Sequence, residues 1–131
     1  SIADKFINWS FKGYWTPYGT VFDVGSTTYS AVQCLKQGVN PLEACPRDEY
    51  SNCNGSLMRI SPMIFYLENK DVDTQFNLTH QTSCLTHGHI RSQMTCGIYV
   101  QTGIDLLEGN DPELAYQKMK ETLLNCYSKE Q

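Results

Sequence analysis

The sequence predicts an all-α fold, a compact helical bundle, and three observations carry that prediction. Apolar residues recur at spacings of three and four, most clearly at Ala115, Met119, Leu123 and Cys126, which places them on one face of a helix. Helix punctuation brackets the apolar runs. Asp111-Pro112 offers an N-cap followed by proline at the first helical position, and Gly13, Gly38 and Gly109 stand where helices should stop. No hairpin signal, internal repeat or low-complexity tract interrupts this pattern.

Each element follows in order. Ile2, Ala3, Phe6, Ile7, Trp9 and Phe11 predict an opening helix ending at Gly13. "YWTPYGTVFDVG" carries two glycines and a proline and reads as a loop. Ser26 or Thr27 can cap a helix through Ala31, Val32 and Leu35 that ends at Gly38. Pro41 can begin a short helical turn, and "CPRDEYSNCNG" is the second long loop. From Ser56 the helical pattern resumes, with Pro62 either kinking it or opening a new segment capped by Ser61. A polar helix over 71–86, a longer and more buried one from Ile90 to Leu107, and the helix after Asp111 complete the chain.

With 131 residues and no break in composition, residues 1–131 read as a single helical domain. A net charge of −4 argues against nucleic acid as a partner, because such surfaces are usually basic. No run approaches the roughly 18 apolar residues of a membrane helix, and "SIADKFINWSF" lacks the form of a signal peptide. Six cysteines are scattered without a CxxC pair, and three Asn-x-Ser/Thr triplets begin at Asn8, Asn54 and Asn77. A secreted, disulfide-bonded domain is therefore one reading. Four of the cysteines sit among helix formers, so reduced thiols in a cytoplasmic core are the favoured reading.

The unusual residues collect in the two long loops, which hold Asp23, Gly25, Ser51, Asn52, Cys53, Asn54 and Gly55. Each loop ends where a helix begins. A helix start presents free N–H groups and partial positive charge to an anion, and small residues let that ligand come close. Ordinary turns and caps would use the same residues. The third feature is "LTHGHI": His87 stands at a helix end with Gly88 suited to a left-handed stop, where an imidazole can meet the last carbonyls. His80, Cys84, His87 and His89 raise zinc as an alternative, but their spacing gives no regular ligand set and no metal ligand is assigned.

"ADKFINWSFKGYWTPYGTVFDVGSTT", "NGSLMRISPMIFY" and "LTHGHIRSQMTCGIYV" together resemble the middle of an ADP-ribosylglycohydrolase of the dinitrogenase-reductase-activating class. The blocks occur in family order and span nearly the whole chain. The resemblance implies an all-helical hydrolase that removes ADP-ribose from modified side chains, using two magnesium ions held by carboxylates. It implies that Ser51, Asn52, Cys53, Asn54 and Gly55 wrap the phosphates and ribose. His87 would line the same pocket, and Asp23 with Gly25 would form its rim. Cys53 departs from the family pattern, which has glycine there, and its side chain would crowd the ligand. Arg59 is expected to bond loop carbonyls or a carboxylate and hold the turn, with Ser56 capping the helix behind it.

The family's metal ligands lie in a Thr-Asp-Asp-Thr type motif and an Asp-x-Asp-Thr motif that these residues do not supply in family order. Asp71-Val72-Asp73-Thr74 spells the second motif but precedes His87, and reads instead as an N-cap with a first-turn acid. The expectation is a fragment lacking the metal-binding segments, binding no magnesium and inactive alone. A non-catalytic ADP-ribose or nucleotide-binding module and a helical interaction domain are the alternatives. Apolar faces left by absent flanking helices would favour a homo-oligomer.

Overall fold

The computed structural model describes residues 1–128, so the end of the predicted 1–131 span, residues 129–131, lies outside the described residues. The described residues form six α-helices and no strand: α1 (Ile2–Lys12), α2 (Ser26–Lys36), α3 (Pro62–Leu67), α4 (Val72–Cys84), α5 (Ile90–Leu107) and α6 (Pro112–Tyr127).

Local chemistry sets most of the boundaries. Gly13 closes α1 in the left-handed region at φ 63, where only a residue without Cβ fits easily. A Cβ there would also stand 1.9 Å from the Gly19 carbonyl oxygen, so the following loop folds directly over the helix end. Asp71 caps α4 by accepting from the Thr74 backbone N–H at 2.9 Å, and its other oxygen takes the Thr74 hydroxyl at 2.7 Å. The Asp71-Val72-Asp73-Thr74 run is thus a helix start. Asp111 caps α6 through the N–H groups of Glu113 and Leu114.

Three expected caps are replaced. α2 begins at Ser26 itself, with Gly25 as N-cap and no side-chain bond to its first turn. The helix expected from Ser56 is a single 3-10 turn, Leu57–Arg59. Pro62 has no N–H with which to continue that turn, so it opens α3 as a new segment, and Ser61 supplies no side-chain cap. Gly88 does not adopt the left-handed conformation at the end of α4. Its smallness serves packing, since a Cβ there would lie 2.2 Å from Cys45 Sγ.

α5 is the central helix, packed along α4 and α6 and touching α3. Its Cys96, Val100 and Ile104 meet Ile60 and Leu67 in one buried cluster, where each aliphatic side chain contributes about 1.5–3 kcal/mol. Ala3, Leu35 and Ala44 form a second, smaller cluster beside α1 and α2. Arg59 joins the two parts: its guanidinium lies 4.7 Å from the Phe6 ring of α1 and bonds the end of α4. Among the described residues no helix is long and apolar enough to cross a membrane, and all six cysteines are free thiols.

Candidate functional site

The site is built around the end of α4. His87 is fully buried, and its backbone N–H donates to the Ser83 carbonyl at 2.8 Å. Ser83 Oγ lies 3.0 Å from both the His87 carbonyl and Ser56 Oγ. A carbonyl can only accept, so the Ser83 proton goes to His87 and Ser56 donates to Ser83. Ser56 is therefore an internal strut, fully buried, and not the helix cap expected of it.

Arg59 takes the role expected of the imidazole. Its Nη1 and Nη2 both donate to the Thr82 carbonyl at 3.2 Å, capping the last turn of α4, and Nη2 also donates to Thr86 Oγ1. The bonds run to a helix carbonyl and a hydroxyl rather than to the 51–55 loop. Thr86, having accepted from Arg59, has its own proton free for His87 Nδ1 at 2.8 Å. That assigns the imidazole proton to Nε2, which points at Cys53 Sγ 3.0 Å away. Cys53 Sγ in turn lies 3.5 Å from Thr27 Oγ1 at the start of α2. A directed relay thus runs from Arg59 through Thr86 and His87 to Cys53.

Burial and then the neighbouring Arg59 charge push the His87 pKa down to about 4, against about 6.5 in an unfolded chain. The unfolded state takes up a proton that the folded state refuses. The His87 contribution is therefore complete above about pH 6.5 and is lost as pH falls toward 4. We expect stability to drop on acidification across that window by on the order of 2–3 kcal/mol from this residue. Asp105, whose carboxyl is raised by burial, slopes the opposite way. The check is the difference between wild type and His87→Gln in urea melts at pH 7 and pH 4.5, and equal slopes would refute it.

In front of this relay lies a cleft of about 460 Å³. Its walls are Trp9 of α1, Trp15, Asp23 and Gly25 of the first long loop, and Gly55 and Arg59 of the turn before α3. Two of these wall residues, Trp15 (φ 62) and Asp23 (φ 54), are, among the described residues, the non-glycine ones with left-handed backbone. Such strain persists only where surroundings enforce it, and it concentrates at ligand sites. Lys5 Nζ sits 5.5 Å from the Trp15 ring on the same wall.

The sequence-derived site residues divide into three groups. Asp23, Gly25 and Gly55 share the cleft wall. Cys53 and His87 stand behind it, in contact with each other. Ser51, Asn52 and Asn54 do not line the cleft. The Ser51 hydroxyl donates to Asp48 at 2.7 Å, and Asn54 uses its carbonyl to accept from Met58 N at 3.2 Å. Trp9, Trp15, Lys5 and Phe6 were missed as wall residues, although the clustering of aromatics around a lysine in "DKFINWSFKGYW" was a usable signal. The zinc alternative does not form: His89 Nδ1 caps α5 by accepting from Arg91 N–H, and His80 Nε2 lies 2.8 Å from the Tyr127 hydroxyl.

The described residues are thus all-helical, with a cleft between α1, the first long loop and the Gly55–Arg59 turn, and His87 buried behind it. The family model for ADP-ribosylglycohydrolase matches residues 1–130, and the chain belongs to that family. No curated protein gives a significant match, nor does any solved structure. The described residues do not fit the family's magnesium pair, since among them no three His, Cys, Asp or Glu side chains converge. Asp71 is committed to capping α4.

Proposed function

We propose that this chain binds ADP-ribose, free or attached to a modified protein side chain, in the Trp9–Trp15–Gly55 cleft and does not cleave the glycosidic bond by itself. The carrying observation is that Asp23, Gly25 and Gly55, from loops thirty residues apart, meet on one wall with two indoles and Lys5. Indole faces suit a stacked adenine. Lys5 and the first turn of α2, which has no side-chain cap, suit a diphosphate. Asp23 is the one carboxylate among the cleft residues, whereas metal-free glycoside hydrolysis takes a pair.

Calorimetric titration with ADP-ribose, with and without magnesium, tests this reading. We expect saturable binding that His87→Ala weakens, because His87 packs directly behind the Gly55 turn of the wall. Absence of heat at millimolar ligand would overturn the binding reading. A magnesium-dependent gain in affinity would overturn the non-catalytic one.

A helical interaction domain is the second reading, favoured by Tyr18 and Phe22, which are 85% and 76% exposed on the first long loop. Self-association of two copies belongs with it, because exposed aromatic groups of this kind drive association. Light scattering is expected to show a dimer or larger at high concentration, and a clean monomer would count against it.

A further inference from the structure

Cys53 is the one exposed cysteine among the described residues, while Cys45, Cys84 and Cys96 are buried and Cys34 and Cys126 half-buried. It is nonetheless held in place. Its carbonyl accepts from Ser92 Oγ of α5 at 3.3 Å, which fixes the backbone. Its sulfur stands 3.0 Å from His87 Nε2, beyond the end of α4, and 3.5 Å from Thr27 Oγ1, in the first turn of α2. His87 is fully buried, and among the described residues this sulfur is the only partner of its Nε2.

The Arg59–Thr86 relay leaves the imidazole proton on Nε2, so His87 donates to the sulfur. The thiol proton then points to Thr27. Once that proton leaves, the Thr27 hydroxyl can rotate and donate in its turn. α2 begins with no side-chain cap, so its first turn adds free N–H groups and partial positive charge. Two directed donors and a helix start thus face the negative charge that gathers on sulfur, and exposed thiols react in such surroundings. His87 is not the base that takes the proton. Burial and the Arg59 charge push its pKa down to about 4, so the thiol proton goes to solvent.

We propose that Cys53 is a thiol–disulfide exchange site for low-molecular-weight disulfides, with His87 as its positioning donor. The Cys53 thiolate attacks one sulfur of the disulfide. The new S–S bond forms as the old one breaks, and the leaving thiolate takes a proton from water. One thiol is consumed and one released, so no further oxidant is needed. All six cysteines are free thiols, so the reacting disulfide comes from solution. The adduct separates the sulfur from the imidazole that packs behind Gly55, and it sits beside Thr27, next to the cleft residue Thr28. On the ADP-ribose reading of that cleft, modification of Cys53 blocks the ligand, and excess thiol reverses the block.

The test is reaction of the full chain with hydroxyethyl disulfide at neutral pH, followed by mass spectrometry of the protein and its peptides. We expect an adduct on Cys53 that forms at least about tenfold faster than any on Cys34 and that excess thiol removes. His87→Leu removes the donor and should slow the reaction at least about tenfold, while His87→Gln, which keeps an N–H at that reach, restores most of the rate. Thr27→Val gives a second reading should His87→Leu fail to fold, with the rate at Cys53 expected to fall at least about threefold. An adduct that forms first on Cys34 or Cys126 would overturn the proposal, as would a rate at Cys53 that these substitutions leave unchanged. ADP-ribose titration reads the cleft separately. Affinity of the modified protein within about threefold of the unmodified one would refute the block. An unmodified protein that binds no ADP-ribose would refute the cleft reading and leave the adduct rates standing.

Discussion

Gly55→Ala is expected to lower ADP-ribose affinity at least about a hundredfold, or ~2.7 kcal/mol, in a protein that keeps its helical circular dichroism. A Cβ at position 55 would stand 2.6 Å from His87 Cε1 and 2.9 Å from Nε2. The imidazole cannot swing aside, since it is fully buried and held at Nδ1 by Thr86 and at Nε2 against Cys53. The Asn54-Gly55 turn must therefore move outward, taking its backbone off the cleft wall. Overpacking of this kind costs about 1–3 kcal/mol of stability. Affinity within threefold of wild type, measured by calorimetry, would show that the turn does not form the ligand wall.

Arg59→Leu should give the largest stability loss, about 3–4 kcal/mol. Leucine keeps apolar contact with Phe6 but removes the donors to the Thr82 carbonyl and Thr86 Oγ1. The last turn of α4 then loses its cap, and Thr86 loses the contact that directs its proton to His87. For a chain of this size the fall in Tm is roughly 10–15 °C. Burial lowers the guanidinium pKa to about 10, so it stays charged at neutral pH. Arg59→Lys should rescue only part of the loss, because a point charge cannot span two acceptors as a planar fork does. Nitrogen-15 NMR of the His87 ring adds a specific readout: wild type should show the proton on Nε2, and Arg59→Leu a mixture of tautomers. A Tm within 3 °C of wild type would remove Arg59 from the role assigned to it.

The helices were legible because their causes are local. Asp71, Asp111 and Pro112 act on backbone groups within three residues of themselves, and α5 runs from Ile90 to Leu107 as its periodicity and flanking Gly109 foretell. Errors arose where two local signals competed. Ser26 and Ser61 are good caps by type, yet Gly25 and Pro62 set the backbone first. The cleft was half legible. Asp23, Gly25 and Gly55 could be named because small or turn-forming residues before a helix have limited uses. That they share a wall with Trp9 and Trp15 could not be read.

By itself, then, the sequence determined the helix order, most of the caps, the family and the two loops that matter. Only the tertiary structure decided what His87 and Arg59 do. Their partners lie far along the chain, with Arg59 bonding Thr82 across 23 residues and His87 meeting Cys53 across 34. Burial, tautomer and pKa at His87 all follow from those contacts. Such properties belong to the packing of α4 against the 53–59 turn, and no short-range pattern encodes them, because the free energy that fixes them arises only when the distant segments exclude water together.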